Sequence, residues 1–214
     1  MSILDLLMPP ACAGCGRTGA LLCPRCAATF RPPGTPADRF VASDPGVVVG
    51  DALALAIAAH AYEGPMRRAL AALKYGGASR VAPVLAGLVL PALDRLRAIS
   101  GNAVLVPVPV HAERLAARGY DQAALLAIAL GRSAGLQVAS ALVRVRATTE
   151  QHRLDRGARL RNLRGAFAIN GRAPPVAILV DDIITTTATL EACAGVLQEA
   201  GCEAVYGLAI AREV

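Results

Sequence analysis

The chain has 214 residues, 55% hydrophobic and 18% charged, with a formal net charge of +6 and no tryptophan. That length supports one ordinary domain with a small appendage, and the composition excludes a disordered or fibrous chain. No apolar run reaches the roughly 20 residues a membrane span needs, and "MSILDLLMPP" has neither a basic leading region nor a small-residue cleavage site, so a cytoplasmic protein without a membrane span is expected.

The first element is a short apolar helix followed by "CAGCGRTGALLCPRC", in which Cys12, Cys15, Cys23 and Cys26 form two CxxC pairs. Each pair presents two thiolates from a tight turn at one edge of a tetrahedral metal, so two pairs complete a four-cysteine shell. Zinc is the expected occupant, and with four protein ligands the shell is closed, so the ion is structural. The alternative is a shell that has lost its metal; disulfides are disfavoured where thiols stay reduced. Cys193 and Cys202 lie far from this cluster and are expected to be small buried residues.

Residues 1–30 are therefore expected to form a four-cysteine zinc-binding module, the proline- and glycine-rich stretch 31–50 a linker, and residues 51–214 the main domain. "DALALAIAAHAYEG" fits a strand, with helix as the alternative because of its alanines. Helical patterns follow in "GPMRRALAALKYGG", stopped by Gly76 and Gly77, and in "RVAPVLAGLVLPALDRLRA". "NAVLVPVPV" reads as a buried strand and "DQAALLAIALGRSAG" as a helix with Asp121 at its N-cap. After a polar, basic stretch, "PVAILV" is a second buried strand, "ATLEACAGVLQEAG" a helix and "AVYGLAIA" a final strand. Strands alternating with helices indicate an α/β fold with a parallel sheet and helices on both faces.

In such sheets ligands bind beyond the carboxyl ends of the strands. The stretch "VAILVDDIITTTATL" places Asp181 and Asp182 directly after the apolar strand ending at Val180, then a hydroxyl-rich loop to Thr187 and a helix from Ala188. A loop feeding a helix N-terminus offers unpaired N–H groups to a phosphate. The hydroxyls of Thr185, Thr186, Thr187 and Thr189 add donors. Two carboxylates beside a phosphate need another target, which sugar hydroxyls or magnesium supply. The plainer alternative is an acidic turn and a threonine N-cap. Walker, dinucleotide-binding and nucleophile-elbow motifs are absent.

"ILVDDIITTTATL" resembles the phosphoribosyl pyrophosphate (PRPP) motif of type I phosphoribosyltransferases. "VPVPVHAERLAARGYDQAALLA", "TTEQHRLDRGARLRNLRGAF", "AYEGPMRRALAALKYGG" and the four-cysteine knuckle resemble the corresponding segments of the ComF (ComF/GntX-like) family, over essentially the whole chain. The resemblance implies a phosphoribosyltransferase-like fold and an association with DNA uptake in natural competence. It implies that Asp181 and Asp182 are the catalytic pair that contacts ribose hydroxyls and magnesium. Thr185, Thr186, Thr187, Ala188 and Thr189 would hold the 5′-phosphate. Arg118, Gly119 and Arg114 would take the pyrophosphate, with Gly119 allowing close approach, and Lys74 would assist. Implied partners are PRPP, single-stranded DNA and a competence helicase.

One position departs from that family: Thr187 stands where its loop has glycine. A left-handed backbone there costs a β-branched residue roughly 1–2 kcal/mol, whereas a helical angle costs little.

Charge is concentrated between residues 144 and 164, where seven arginines against Glu150 and Asp155 give a net +5 of the formal +6. Arg153, Arg156, Arg159, Arg161 and Arg164 in this segment suit a lid over an anionic substrate, a nucleic-acid phosphate contact or a solvated face. Three functions follow: a phosphoribosyl-transferring enzyme, a single-stranded-DNA adaptor of a helicase, and a PRPP-responsive regulator.

Overall fold

Apolar side chains at consecutive rather than alternate positions mark a strand buried on both faces, and residues 177–180 are buried in that way. The computed structural model describes residues 9–34, 46–75, 78–146, 163 and 165–213. Its strands are β1 (Val47–Val48), β2 (Leu55–Ala61), β3 (Val104–Pro107), β4 (Leu142–Arg144), β5 (Phe167–Ile169), β6 (Val176–Ile184) and β7 (Ala204–Arg212). The helices are α1 (Pro24–Ala27), α2 (Gly64–Tyr75), α3 (Ala82–Leu88), α4 (Leu90–Ser100), α5 (Ala112–Arg118), α6 (Gln122–Ala134) and α7 (Ala188–Glu199).

Five strands form one sheet in the order β1-β2-β7-β6-β3, parallel throughout except that β1 runs antiparallel to β2. β4 and β5 form a separate antiparallel pair. One core, with Ile178 and Val180 of β6, packs under α2, α3, α4 and α6; the other, with Ala177 and Leu179, packs under α7 and β5. The fold is thus α/β with a mostly parallel sheet and helices on both faces.

One open alternative is settled and two local expectations change. The alanine-rich stretch near residue 55 is a strand, because six of its residues pair with β7 and this tertiary pairing outweighs alanine's helix preference. The long helical pattern of residues 80–98 divides into α3 and α4 at Val89 (φ −105°, ψ 3°), since Pro91 lacks an N–H and its ring clashes with a preceding carbonyl. β6 does not stop at Val180: Asp181, Ile183 and Ile184 stay in register with Ala209, Ala211 and Arg212 of β7. The acidic pair therefore lies on the strand, and the turn is only residues 185–187.

α7 is tied to the far end of the sheet through Glu191, which is 8% exposed. Its carboxylate accepts the N–H groups of Asp51 at 3.1 Å and Ala52 at 2.9 Å. A Cβ on Gly50 would lie 1.3 Å from Glu191 Oε1, so any larger residue there displaces the carboxylate from this clamp. Among the described residues no helix is long and apolar enough to cross a membrane.

Candidate functional site

The four N-terminal cysteines converge as the spacing predicts: one sulfur from each of Cys12, Cys15, Cys23 and Cys26 lies within 4.8 Å of the others. The first knuckle is a tight turn in which Cys15 and Gly16 donate their N–H groups to the Cys12 carbonyl at 3.2 and 2.7 Å. Cys15 Sγ and Cys23 Sγ are 3.7 Å apart, close to the ~3.8 Å edge of a tetrahedron with zinc–sulfur bonds of about 2.3 Å. Burial would raise the Cys12 thiol, but N–H groups of Cys23, Gly14 and Cys15 outweigh it and bring it to about 6. Cys26 is pushed up to about 12, first by burial and then by the surrounding sulfurs. Four sulfurs this close cannot all be thiolates without a cation among them, so the donor set fits zinc. Arg68 of α2 holds the knuckle by donating Nε–H to the Gly14 carbonyl. Cys193 and Cys202 are buried away from this cluster.

The second candidate site lies where β3 and β6 end. Strand alternation sends residue 182 to the α2 face and residue 181 to the α7 face. Lys74, in the last turn of α2, places Nζ 2.7 Å from Asp182 Oδ2; the Asp182 side chain is 4% exposed and the Lys74 side chain 22%. Burial lowers the Lys74 ammonium's proton affinity, but the charges of Asp182 and then Asp181 outweigh it, so its pKa is raised. β3 pairs with β6 only as far as Val180. The Asp182 N–H beyond that point donates instead to Asp181 Oδ1 at 2.7 Å.

Asp181 is held well above the usual carboxylate range, by burial first and by the Asp182 charge next, against the pull of Lys74. The folded state therefore binds this proton more tightly than the unfolded one. Its contribution to stability is present below the unfolded value of about 4 and is lost as pH rises through the raised folded value. Asp181→Asn is accordingly expected to raise the melting temperature at pH 7, with the difference vanishing toward about pH 4. Melting curves across that range check it, and a pH-independent difference would contradict it.

Thr185, Thr186 and Thr187 connect this strand to α7. Thr187 is the N-cap at φ −66°, ψ −6°, and its hydroxyl makes no capping hydrogen bond. The angle lies in the right-handed helical region, so a β-branched residue carries no left-handed strain here. The N–H groups at Ala188 and Thr189 belong to the first turn, where a helix lacks internal partners.

Arg118 and Gly119 close α5 on the other side of the α2 C-terminus. Gly119 is a left-handed C-cap (φ 80°, ψ −5°) whose N–H reaches the Leu115 carbonyl at 2.7 Å. A Cβ there would meet nothing within 4 Å, so its glycine serves the backbone angle rather than close approach within the protein. Arg118 lies over the Tyr75 ring, 5.4 Å from its centroid, and donates to Gln122 Oε1. Tyr120 donates its hydroxyl to the Leu73 carbonyl at 2.6 Å. Asp121 caps α6 through the Ala124 N–H and also accepts from Val110, both at 3.0 Å. Arg114 is exposed on α5.

The structure thus pairs Lys74 with Asp182 beside Asp181, on the strand that runs into the threonine turn, while Arg118 and Tyr120 contact the same end of α2 with the exposed Gly119 between them. Arg153, Arg156, Arg159, Arg161 and Arg164 lie outside the described residues. Sequence reading missed the direct pairing of Lys74 with Asp182 and the Glu191 clamp; both contacts join residues more than 100 positions apart and leave no local pattern.

No family model matches the chain. DNA utilization protein YhgH of Salmonella typhimurium is 30% identical over 210 residues, covering 94% of this chain and 88% of that protein. The Escherichia coli protein of the same name is 30% identical over 213 residues with the same coverage. Competence protein F of Haemophilus influenzae is 35% identical over 113 residues, 50% of this chain and 49% of that protein. With its four-cysteine cluster, its α/β sheet and this near full-length similarity, the chain belongs to the YhgH/ComF family.

Proposed function

We propose that the chain binds PRPP with magnesium at the carboxyl ends of β3 and β6 and acts in DNA uptake or related DNA processing. The phosphoribosyltransferase-like domain would be residues 51–214, joined through a linker at 31–50 to a zinc module at 1–30. The observation that carries the reading is the juxtaposition of Asp181, Asp182 and Lys74 with a threonine turn opening α7. The relatives' names, DNA utilization and competence, support the biological setting.

In this reading the two carboxylates take the ribose hydroxyls and, directly or through water, the magnesium. The hydroxyls of Thr185, Thr186, Thr187 and Thr189, with the Ala188 N–H, take the 5′-phosphate. Lys74, Arg114, Arg118 and the Gly119 backbone serve the pyrophosphate. If an acceptor is supplied, the same groups would stabilise positive charge growing on the ribose and negative charge on departing pyrophosphate.

The test is thermal stability of the zinc-loaded protein with magnesium and PRPP. A ligand at about 100 times its dissociation constant adds about 2.7 kcal/mol, or roughly 5–10 °C for a chain of this size. No shift at millimolar PRPP overturns the reading.

A second reading, a single-stranded-DNA adaptor of a competence helicase, is favoured by the net +5 between residues 144 and 164. Its signature is DNA affinity that falls steeply with salt.

A further inference from the structure

Tyr75 is 77% exposed, more than any other large apolar side chain among the described residues. The chain has no tryptophan and is only 3% aromatic, so most of this ring's apolar area adds nothing to its small aromatic core. Its setting is nonetheless well defined. The preceding residue, Lys74, reaches Asp182 at 2.7 Å, and the residue before that, Leu73, accepts the Tyr120 hydroxyl at 2.6 Å. The first contact fastens the last turn of α2 to β6, and the second fastens it to the segment that leads into α6.

Arg118 lies over the Tyr75 ring at 5.4 Å from its centroid, and its Nη1 donates to the side-chain oxygen of Gln122, which is 7% exposed. A buried amide thus holds the guanidinium against the ring, and the ring's exposure leaves its opposite face to solvent. A ring restrained in this way loses little conformational entropy when a flat partner arrives. Every nucleobase offers a π face, and stacking on an aromatic side chain needs no particular base. The guanidinium beside the ring supplies a cation for the phosphate that accompanies such a base.

We infer that Tyr75, backed by Arg118, is a stacking platform for a nucleobase at the rim of the β6 site. The base belongs either to a free nucleotide or to a single DNA strand; both present the same chemistry to the ring. The inference goes beyond the PRPP reading and shares only Arg118 with it; it uses neither the carboxylates nor the threonine turn, and its test variants leave Arg118 in place.

The experiment uses the full zinc-loaded chain and three probes: a fluorescein-labelled oligodeoxyadenylate of about 12 nucleotides, chosen within the usual single-strand site range, an abasic strand of equal length, and AMP. Tyr75→Ala is expected to weaken the oligodeoxyadenylate roughly tenfold, the scale of one lost base stack, while Tyr75→Phe retains binding. The slope of affinity against salt stays at the wild-type value in Tyr75→Ala, because no phosphate contact is removed. The abasic strand does not respond to Tyr75→Ala. AMP binding, read by quenching of tyrosine fluorescence, distinguishes the sources: dependence on Tyr75 for AMP but not for the strand assigns the platform to a free nucleotide. If neither probe binds, or if Tyr75→Ala weakens neither, the inference is overturned. The magnesium–PRPP melting shift, measured without any strand, fails or succeeds separately.

Discussion

Lys74→Met is expected to destabilise the protein by about 3–5 kcal/mol, the usual cost of leaving one partner of a buried ion pair alone. The Asp182 side chain is 4% exposed and its Oδ2 lies 2.7 Å from Lys74 Nζ. Methionine fills the aliphatic volume of lysine but leaves a carboxylate buried beside Asp181, whose proton affinity is already raised by burial and by Asp182. The double variant Lys74→Met/Asp182→Asn should recover most of the loss, because the uncompensated charge is gone. Urea unfolding at neutral pH measures both. A loss below about 1 kcal/mol, the scale of an exposed pair, would mean that solvent already screens the contact. Lys74 also has a raised pKa, so the stability of the pair is present below the ordinary lysine value of about 10.4 and lost as pH rises through the higher folded value.

Removing the metal should have the other large effect. Four sulfurs mutually within 4.8 Å fit one zinc per chain, and a structural zinc of this kind contributes an apparent ~10–16 kcal/mol to folding its own module. The knuckle's internal order rests on short backbone turns such as Gly16 N–H to the Cys12 carbonyl, too few to replace those bonds. A strong chelator, or Cys26→Ser, is therefore expected to unfold the knuckle while the sheet persists, so that the unfolding enthalpy falls and the remaining transition moves to lower temperature. The ridge of α2 beneath it becomes accessible, because the groove of about 360 Å³ between the knuckle and α2 includes Arg68 and Ala72. Metal analysis and calorimetry check this expectation. A protein purified without metal whose melting is a single unchanged transition would contradict it.

These two sites differ sharply in how far residues alone reveal them. The cysteines were legible because both CxxC pairs are local and chemistry restricts what four thiolates can do. Asp181, Asp182 and the threonine run were legible because they follow an apolar strand and precede a helix. Lys74 drew notice only as a helper. Its partner lies far along the chain, and only packing of α2 against β6 brings the two together. Glu191 gave no signal for the same reason: its hydrogen bonds reach back 140 and 139 positions, to Asp51 and Ala52.

Backbone angles were a second limit. Thr187 stands where glycine was expected, and the residue type is compatible with either a costly or a harmless conformation. Its helical φ removes the left-handed penalty. Gly119 is the opposite case: its identity invites a close-approach explanation, while its φ of 80° shows a helix C-cap. The boundary of β6 was misplaced because two acidic residues disfavour a strand in isolation. Pairing with β7 carries the strand through them to Ile184.

Residue spacing and hydrophobic pattern were enough to establish the α/β class, the cysteine shell and the end of the sheet at which to seek a ligand, since each depends on contacts within a few residues or within one element. Packing of distant elements decided the rest: that Asp182 is neutralised by Lys74, that Asp181 is driven toward its protonated form, and that Arg118 backs an exposed Tyr75. Those outcomes depend on burial and on distances across the chain, and both electrostatic strength and stacking geometry are functions of three-dimensional position.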